Sequence, residues 1–324
     1  MKIELTRTAA IDPTEWDALL NASHDATPFH TRHWQAIYDR AGVGAESFAL
    51  LARSPSRELL AAMPLTKFRK LGLTAFVASG FSVYGHPLTR PDAPPDALDA
   101  LLAEYAALAS GPLTVLSRVV DLRGLCAPLR RHGYEELPLT THVVPLSPRW
   151  EDVRDCFGSS ARNALEQALH SDLVVESSSD DADMAAFAAL SSANYRAHSR
   201  RPYPKSLYPA LMEELDAERL WFDVARYRGR VVAGSIHVLG PTQIVYWMTA
   251  CDPAFRRLRP NDLLIASALE RACRAGKRSY DLGPSPPGAE GLRAFKRKWG
   301  AREVPYSVYE KSRLPWRIAR CLLH

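Results

Sequence analysis

No stretch of the 324-residue chain approaches the ~18 uncharged apolar residues that a membrane-spanning helix requires. Cysteine is scarce: Cys126, Cys156, Cys251, Cys273 and Cys321 are the five present, an odd number with no C-x-x-C pair. That spacing excludes a disulfide framework or a zinc ribbon and fits a reducing cytoplasm. The opening MKIELTRTAAIDP has no apolar core and does not read as a signal peptide. There is no Gly-X-Y period, heptad run or long polar tract, so collagen, coiled coil and disorder are out. Gly-x-Ser-x-Gly, His-Glu-x-x-His and Walker patterns are also missing. His24, His30 and His33 lack a metal-like partner set, and no metal is expected.

The composition that remains is ordinary for a globular protein, 47% hydrophobic and 24% charged. The length suits roughly two domains and a sizeable core. Net charge is +5, but it is local. Residues 1–150 carry 15 basic and 15 acidic side chains, 151–255 carry 10 and 15, and 256–320 carry 16 and 6. A basic segment of that kind is either a solvated face or a seat for an acidic partner.

The first half predicts a strand at Ile3–Thr6, a helix started by Asp12 and Pro13, and a second helix after Thr31. A hairpin follows at Ser47–Arg53 and Glu58–Thr66, then strands near Leu73–Ala78 and Leu113–Ser117 around a helix at Pro95–Ala109. Asp121 is expected to cap a helix that stops at Gly133, before a strand at His142–Leu146. The second half predicts helices from about Ser160, from Asp183 and from Ser206, then a hairpin at Leu220–Arg226 and Val231–Leu239. Strand Gln243–Ala250, helix Asn261–Ala275, strand Ser279–Leu282, helix Gly291–Trp299 and strand Val304–Glu310 complete it.

The two halves share an element order without a residue-level repeat. That order matches the GNAT acyltransferase fold. The expected class is α+β: two tandem GNAT-like domains, each a mixed, mostly antiparallel sheet flanked by helices. We place the first at residues 1–147, completed by 311–324, and a catalytic second at 148–310. GNAT proteins seat a donor's pyrophosphate on a glycine-bearing turn at a helix N-terminus. The corresponding stretch, Cys251 to Leu263, has no glycine. Pro260 removes an amide, and Asp262 sets a carboxylate in the first helical turn. Gly80 and Gly85 in the first half lack the spacing too. Arg256, Arg257 and Arg259 could still meet a phosphate through their side chains.

Tyr280-Asp281-Leu282-Gly283, followed by Gly291-Leu292 and Phe295-Lys296-Arg297-Lys298-Trp299-Gly300-Ala301, resembles the FemAB family of aminoacyl- and acyltransferases. Weaker matches are Phe29 to Trp34, Met63-Pro64-Leu65, Phe81-Ser82-Val83-Tyr84-Gly85, Ser160 to Asn163 with Ala168, Gly234, Tyr246-Trp247, and Asn261 with Leu263-Leu264. Together they cover nearly the whole chain. The resemblance implies two GNAT-like domains, with the chain end often returning to the first. It implies transfer of an activated acyl or aminoacyl group to an amine or hydroxyl, and no coenzyme A cradle is then required. It carries the family's cleft lysine onto Lys296, as a cation beside the reacting carbonyl or the donor's phosphate. The long coiled-coil insert of the cell-wall members is missing, which argues against a cell-wall precursor as acceptor.

Other candidates rest on residue type. Asp281, at a strand end, could deprotonate an attacking amine or could cap a turn. Arg162 could hold an anionic acceptor group or pair with Glu166. Tyr195 and His198 share a helix before Arg200 and Arg201, and with Tyr84 they are candidates for the acceptor side. Asn261, Tyr246 and Trp247 are assigned with the three arginines to the donor side. The expected donor is aminoacyl-tRNA, an acyl carrier or acyl-CoA; the expected acceptor is a cell-envelope, polysaccharide or small-molecule group. The cleft would lie in the second domain or between the two. The alternatives are an acetyl-CoA-dependent N-acetyltransferase and a non-catalytic module for anionic ligands or nucleic acid. The expected location is cytoplasmic, with the basic amphipathic tail Leu314–Leu323 either docked on the first domain or touching the inner membrane surface without stable insertion.

Overall fold

The Asp12 carboxylate accepts the Glu15 amide at 2.9 Å, and Pro13 takes the first helical position, where no amide is needed. The chain thus starts its first helix as its residue types dictate. The computed structural model describes residues 3–41, 44–81, 83–286 and 288–314. Ser82, and the tail expected to be amphipathic beyond Leu314, lie outside the described residues.

The chain divides into two units: residues up to Pro138 together with those from Pro305 onward, and Leu139–Val304. In chain order the first elements are β1 (Glu4–Thr8), α1 (Pro13–Ala22), α2 (Arg32–Ala41), β2 (Ala45–Arg53), β3 (Leu59–Lys70), β4 (Leu73–Ala78), β5 (Leu88–Thr89), α3 (Pro95–Leu108) and β6 (Thr114–Asp121). β7 (Glu135–Pro145) carries the chain into the second unit. There follow α4 (Trp150–Asp155), α5 (Ser159–Leu169), β8 (Leu173–Ser177), α6 (Asp181–Ala197), α7 (Leu207–Glu214), β9 (Leu220–Tyr227), β10 (Arg230–Leu239) and β11 (Gln243–Cys251). Then come α8 (Pro260–Arg274), β12 (Ser279–Pro284), α9 (Glu290–Arg297) and β13 (Arg302–Ser312).

Within the first unit the strands run β1-β2-β3-β4-β6-β13, with β5 added on β3. Within the second they run β8-β9-β10-β11-β12-β7. Each is antiparallel except for one parallel pair, β4 with β6 and β11 with β12. The sixth strand is exchanged. β7, which follows β6 in sequence, pairs with β12, and β13, which follows β12, pairs with β6. The first core sets Leu101, Leu102 and Tyr105 of α3 against Leu50 and Met63. The second sets Ile265 and Leu269 of α8 against Tyr246, Tyr280, Leu282 and Trp299.

Three local expectations change. Asp121 ends β6 and is buried; its carboxylate accepts the amides of Arg123, Gly124 and Cys126 and starts no α-helix. A short 3₁₀ turn, Ala127–His132, leads instead to Gly133. The cap of α6 is Asp180, whose side chain takes the Ala182 amide, while Asp183 turns inward to pair with Arg226 of β9 at 2.6 Å. β7 starts at Glu135, well before His142.

Candidate active site

The two parallel pairs differ. β4 is paired with β6 along five register positions, up to Ala78 opposite Val119 at the end of β4. The returning chain then closes that edge, with the Gly85 amide donating to Val120 O at 3.0 Å. A Cβ at Gly85 would lie 2.2 Å from Ala78 O, so only glycine fits there. β11 and β12 share three positions, the last being Val245 with Asp281. β11 runs on to Cys251 and β12 to Pro284 without further pairing to each other, so the second sheet splits. Alternation along β11 places Tyr246 toward α8 and Trp247 toward α6.

Lys296 of α9 reaches the end of β12. Its ammonium donates to Gly283 O at 2.8 Å and Pro284 O at 2.7 Å. Gly283 holds φ +76, the left-handed region that turns both carbonyls toward the lysine. An ammonium has three donors, so one is left over for a ligand. Lys296 is only 6% exposed. Burial lowers its pKa to about 8, against the opposing pull of Asp281. Asp281 is buried as well; its Oδ1 accepts from Thr141 Oγ1 at 2.5 Å and from the Gly283 amide at 2.8 Å. That is the turn-capping arrangement. His142, enclosed on β7, has its pKa lowered by burial and then by the Lys296 charge. Ser285 Oγ is buried with no hydrogen-bond partner among the described residues.

On the α8 side, Arg256 and Arg257 lie on an exposed 3₁₀ turn, and Arg259 adopts a left-handed φ of 62° as the residue before α8. Gln167 ties that turn to α5, donating to Arg257 O at 2.9 Å and accepting from Arg259 Nε at 3.1 Å. Pro260 offers no amide, and the Asp262 amide donates to Arg259 O, so this helix start is a poor phosphate cradle. Asp262 is ion-paired with Lys298. Asn261 Oδ1 is buried with no partner among the described residues, and burial raises the Tyr246 hydroxyl's pKa.

On the α6 side, Tyr195 meets Tyr203 at 5.3 Å between ring centroids, and Tyr203 meets Trp247 at 5.8 Å. All three rings are half-buried. Trp247 therefore stands with Tyr195, across the sheet from its neighbour Tyr246. His198 is exposed, its Nδ1 on Asn194 O at 2.8 Å. Arg162 is not among them: it belongs to α5, which packs on α8, and its guanidinium donates to Phe157 O. Tyr84 belongs to the first unit, buried between Phe29 and Tyr306.

Thr141, Lys298 and Tyr203 were not singled out from sequence. Thr141 meets Asp281 across 140 positions of chain, and no local pattern marks it. Lys298 was visible only as part of a basic run.

A mostly antiparallel sheet that splits at one parallel pair, with helices on both faces, defines the GNAT class of fold. Residues 159–297, all within the second unit, match the family model described as an acetyltransferase (GNAT) domain. No curated protein matches the chain in sequence. Among solved structures, FemX is similar with a TM-score of 0.69 at 15% identity, covering 95% of this chain and 97% of that one. A tandem GNAT protein from the clavulanic acid biosynthesis pathway reaches 0.63 at 14%, covering 97% and 99%. The C-terminal domain of a protein from Agrobacterium fabrum described as a lysylphosphatidylglycerol synthetase reaches 0.63 at 15%, covering 98% and 96%. At these identities the likeness is one of fold.

Proposed function

We propose that this protein is an acyltransferase whose site is the split between β11 and β12, and that it moves an activated acyl or aminoacyl group to an amine or hydroxyl. The observation that carries the reading is the Lys296 ammonium, fixed by two carbonyls with one N–H left over where the strands part. The acceptor's nitrogen or oxygen attacks the activated carbonyl, the bond from the acyl carbon to the carrier breaks, and the proton the acceptor loses leaves with the carrier. Lys296 stabilises the oxyanion that develops, a contribution worth about 3–4 kcal/mol for one such donor. Asp281 is a positioning residue: it holds the β12 turn and favours the charged form of Lys296.

The donor comes from the α8 side, past Asn261, Tyr246 and the three arginines. The engaged amides there favour a carrier other than coenzyme A, such as a charged tRNA or an acyl carrier. The acceptor lies along Tyr195, Tyr203 and Trp247, with His198 at its margin; Arg162, on α5 beside α8, falls on the donor side instead. FemX and the lysylphosphatidylglycerol synthetase domain support the reading through their fold.

The test is transfer of labelled acyl groups from charged tRNA or acetyl-CoA to a panel of amines and sugars. Lys296→Met should lower turnover about 10²–10³-fold with the melting temperature little changed. Full activity in that variant removes the assignment. Calorimetry separates the donors: tight binding of coenzyme A that survives loss of the acyl group favours an ordinary acetyltransferase. Salt-dependent RNA binding without any acyl turnover favours a binding module.

A further inference from the structure

Leu71 is 94% exposed at the tip of the β3–β4 hairpin, at a left-handed φ of 51°. Turn chemistry prefers Gly, Asn or Asp at such a position. A leucine here contributes nothing to the core and adds backbone strain, so the local choice runs against the fold. Beside it, the Thr74 amide donates to the carbonyl of Leu113, which is 59% exposed. β13 ends at the same place: the Arg313 amide bonds Val115 O, and Leu314, like Leu73, packs against the cluster that contains Val115. Three separate segments thus bring apolar side chains to one end of the first sheet.

The exposed charge around them is mostly basic, and the neighbouring carboxylate of Glu46 is paired with Lys67 at 3.3 Å. Arg69 and Lys70 are exposed on the strand leading into the hairpin. The Arg313 guanidinium is held by the carbonyls of Ser110, Gly111 and Pro112, neutral partners that leave its charge uncompensated. Neither Arg69 nor Arg313 forms an ion pair among the described residues. The sequence beyond Leu314 adds Arg317 and Arg320 and no acidic residue.

We propose that this end of the first unit is a docking surface for an anionic phospholipid bilayer. Leu71 and Leu113 enter the headgroup boundary, and Arg69, Lys70 and Arg313 meet lipid phosphates. Apolar wedges ringed by cations are the pattern by which proteins lie on, rather than span, such a surface. The inference stands apart from the proposed chemistry, since it uses none of the second unit's residues.

The test is cosedimentation of the full chain with vesicles of mixed phosphatidylglycerol and phosphatidylcholine, and with phosphatidylcholine alone. Binding is expected to the anionic vesicles, weakening with salt. Leu71→Asp should reduce it at least about tenfold, the order of one buried leucine. Arg69→Ala should reduce it about fivefold. Because Leu71 is almost fully exposed, its variant should melt as the parent does. No binding by the parent overturns the proposal, as does equal binding by Leu71→Asp, which would move the contact elsewhere. A parent dimer that Leu71→Asp dissociates, without vesicle binding, would assign the surface to a second copy of the chain.

Discussion

Asp262, in the first turn of α8, is neutralised by Lys298, one residue past the end of α9. In sequence that carboxylate stands in the helical turn where a donor's phosphate would be seated. In the folded chain it is one half of an ion pair whose side chains are 7% and 13% exposed. The Lys298 ammonium also sits 4.5 Å from the centroid of the Phe295 ring. The pair joins the start of one helix to the end of another, beside the split strands.

Removing one member of such a pair leaves a buried charge alone. Lys298→Met is expected to cost about 3–5 kcal/mol of stability. Asp262→Asn combined with Lys298→Met should recover much of that loss. Denaturant melts of the three proteins decide it; additive single and double effects would show that the pair does not act as a unit.

The pH profile of turnover should bend near the lysine's pKa. Lys296 titrates at about 8 when folded, against an ordinary 10.5, because burial disfavours the ammonium more than Asp281 supports it. Between those values the unfolded chain binds the proton that the folded one has lost, so stability rises with pH there. The cost of burying the ammonium is complete below about 8. Turnover should nevertheless fall as pH passes 8, since the working form is the charged one. Lys296→Arg, always protonated, should carry the falling limb above pH 10 in whatever activity it retains. Constant parent turnover up to pH 10 would take Lys296 out of the chemistry.

Acid should weaken the first unit before its carboxylates titrate. His30 and His86 are fully buried and neutral, with pKa values lowered to about 3 and about 4, chiefly by burial. The Thr27 amide donates to His30 Nδ1, which sets the other ring nitrogen, Nε2, as the donor to His86 O. Unfolded, each histidine takes up a proton near 6.5. Stability is therefore full above that pH and declines from about 6.5 toward 3 and 4. The slope approaches about 1.4 kcal/mol per pH unit for each ring. His237 in the second unit, lowered to about 4 by burial, adds to it. Urea melts at pH 7, 6 and 5 should show the decline already under way; identical midpoints would refute it.

Gly85 is a steric position. Gly85→Ala would set a methyl against Ala78 O at 2.2 Å and Ser79 Cβ at 2.8 Å. The expected loss is about 3 kcal/mol, the upper end of overpacking effects. Gly72→Ala, with nothing within 4 Å of its added carbon, pays only for its positive φ and should cost about 1 kcal/mol. Equal losses at the two sites would show that close approach is not the cause.

Much of the element order was legible because it rests on local chemistry. Asp12 and Pro13 start α1, and Gly133 ends its turn at φ +78. The misplaced caps have the same origin. Asp180, Asp181 and Asp183 each offer a cap to α6, and an arginine on β9, 43 residues away, decides which one turns inward. At the site, Lys296 and Asp281 were visible as a motif. Their geometry was not, because it depends on Thr141, distant in sequence, and on a strand ending where its neighbour continues.

The sequence by itself determined the elements, their order in two similar halves, the basic segment and the lysine-bearing motif. These follow from periodicity, caps and residue type, whose physics acts within a few residues. Tertiary structure alone decided which strand completes each sheet, that only the second parallel pair parts, and that Trp247 stands across the sheet from Tyr246. It also decided that Leu71 is left in solvent. Strand pairing, burial and charge compensation depend on partners distant in the chain, and only the folded arrangement supplies them.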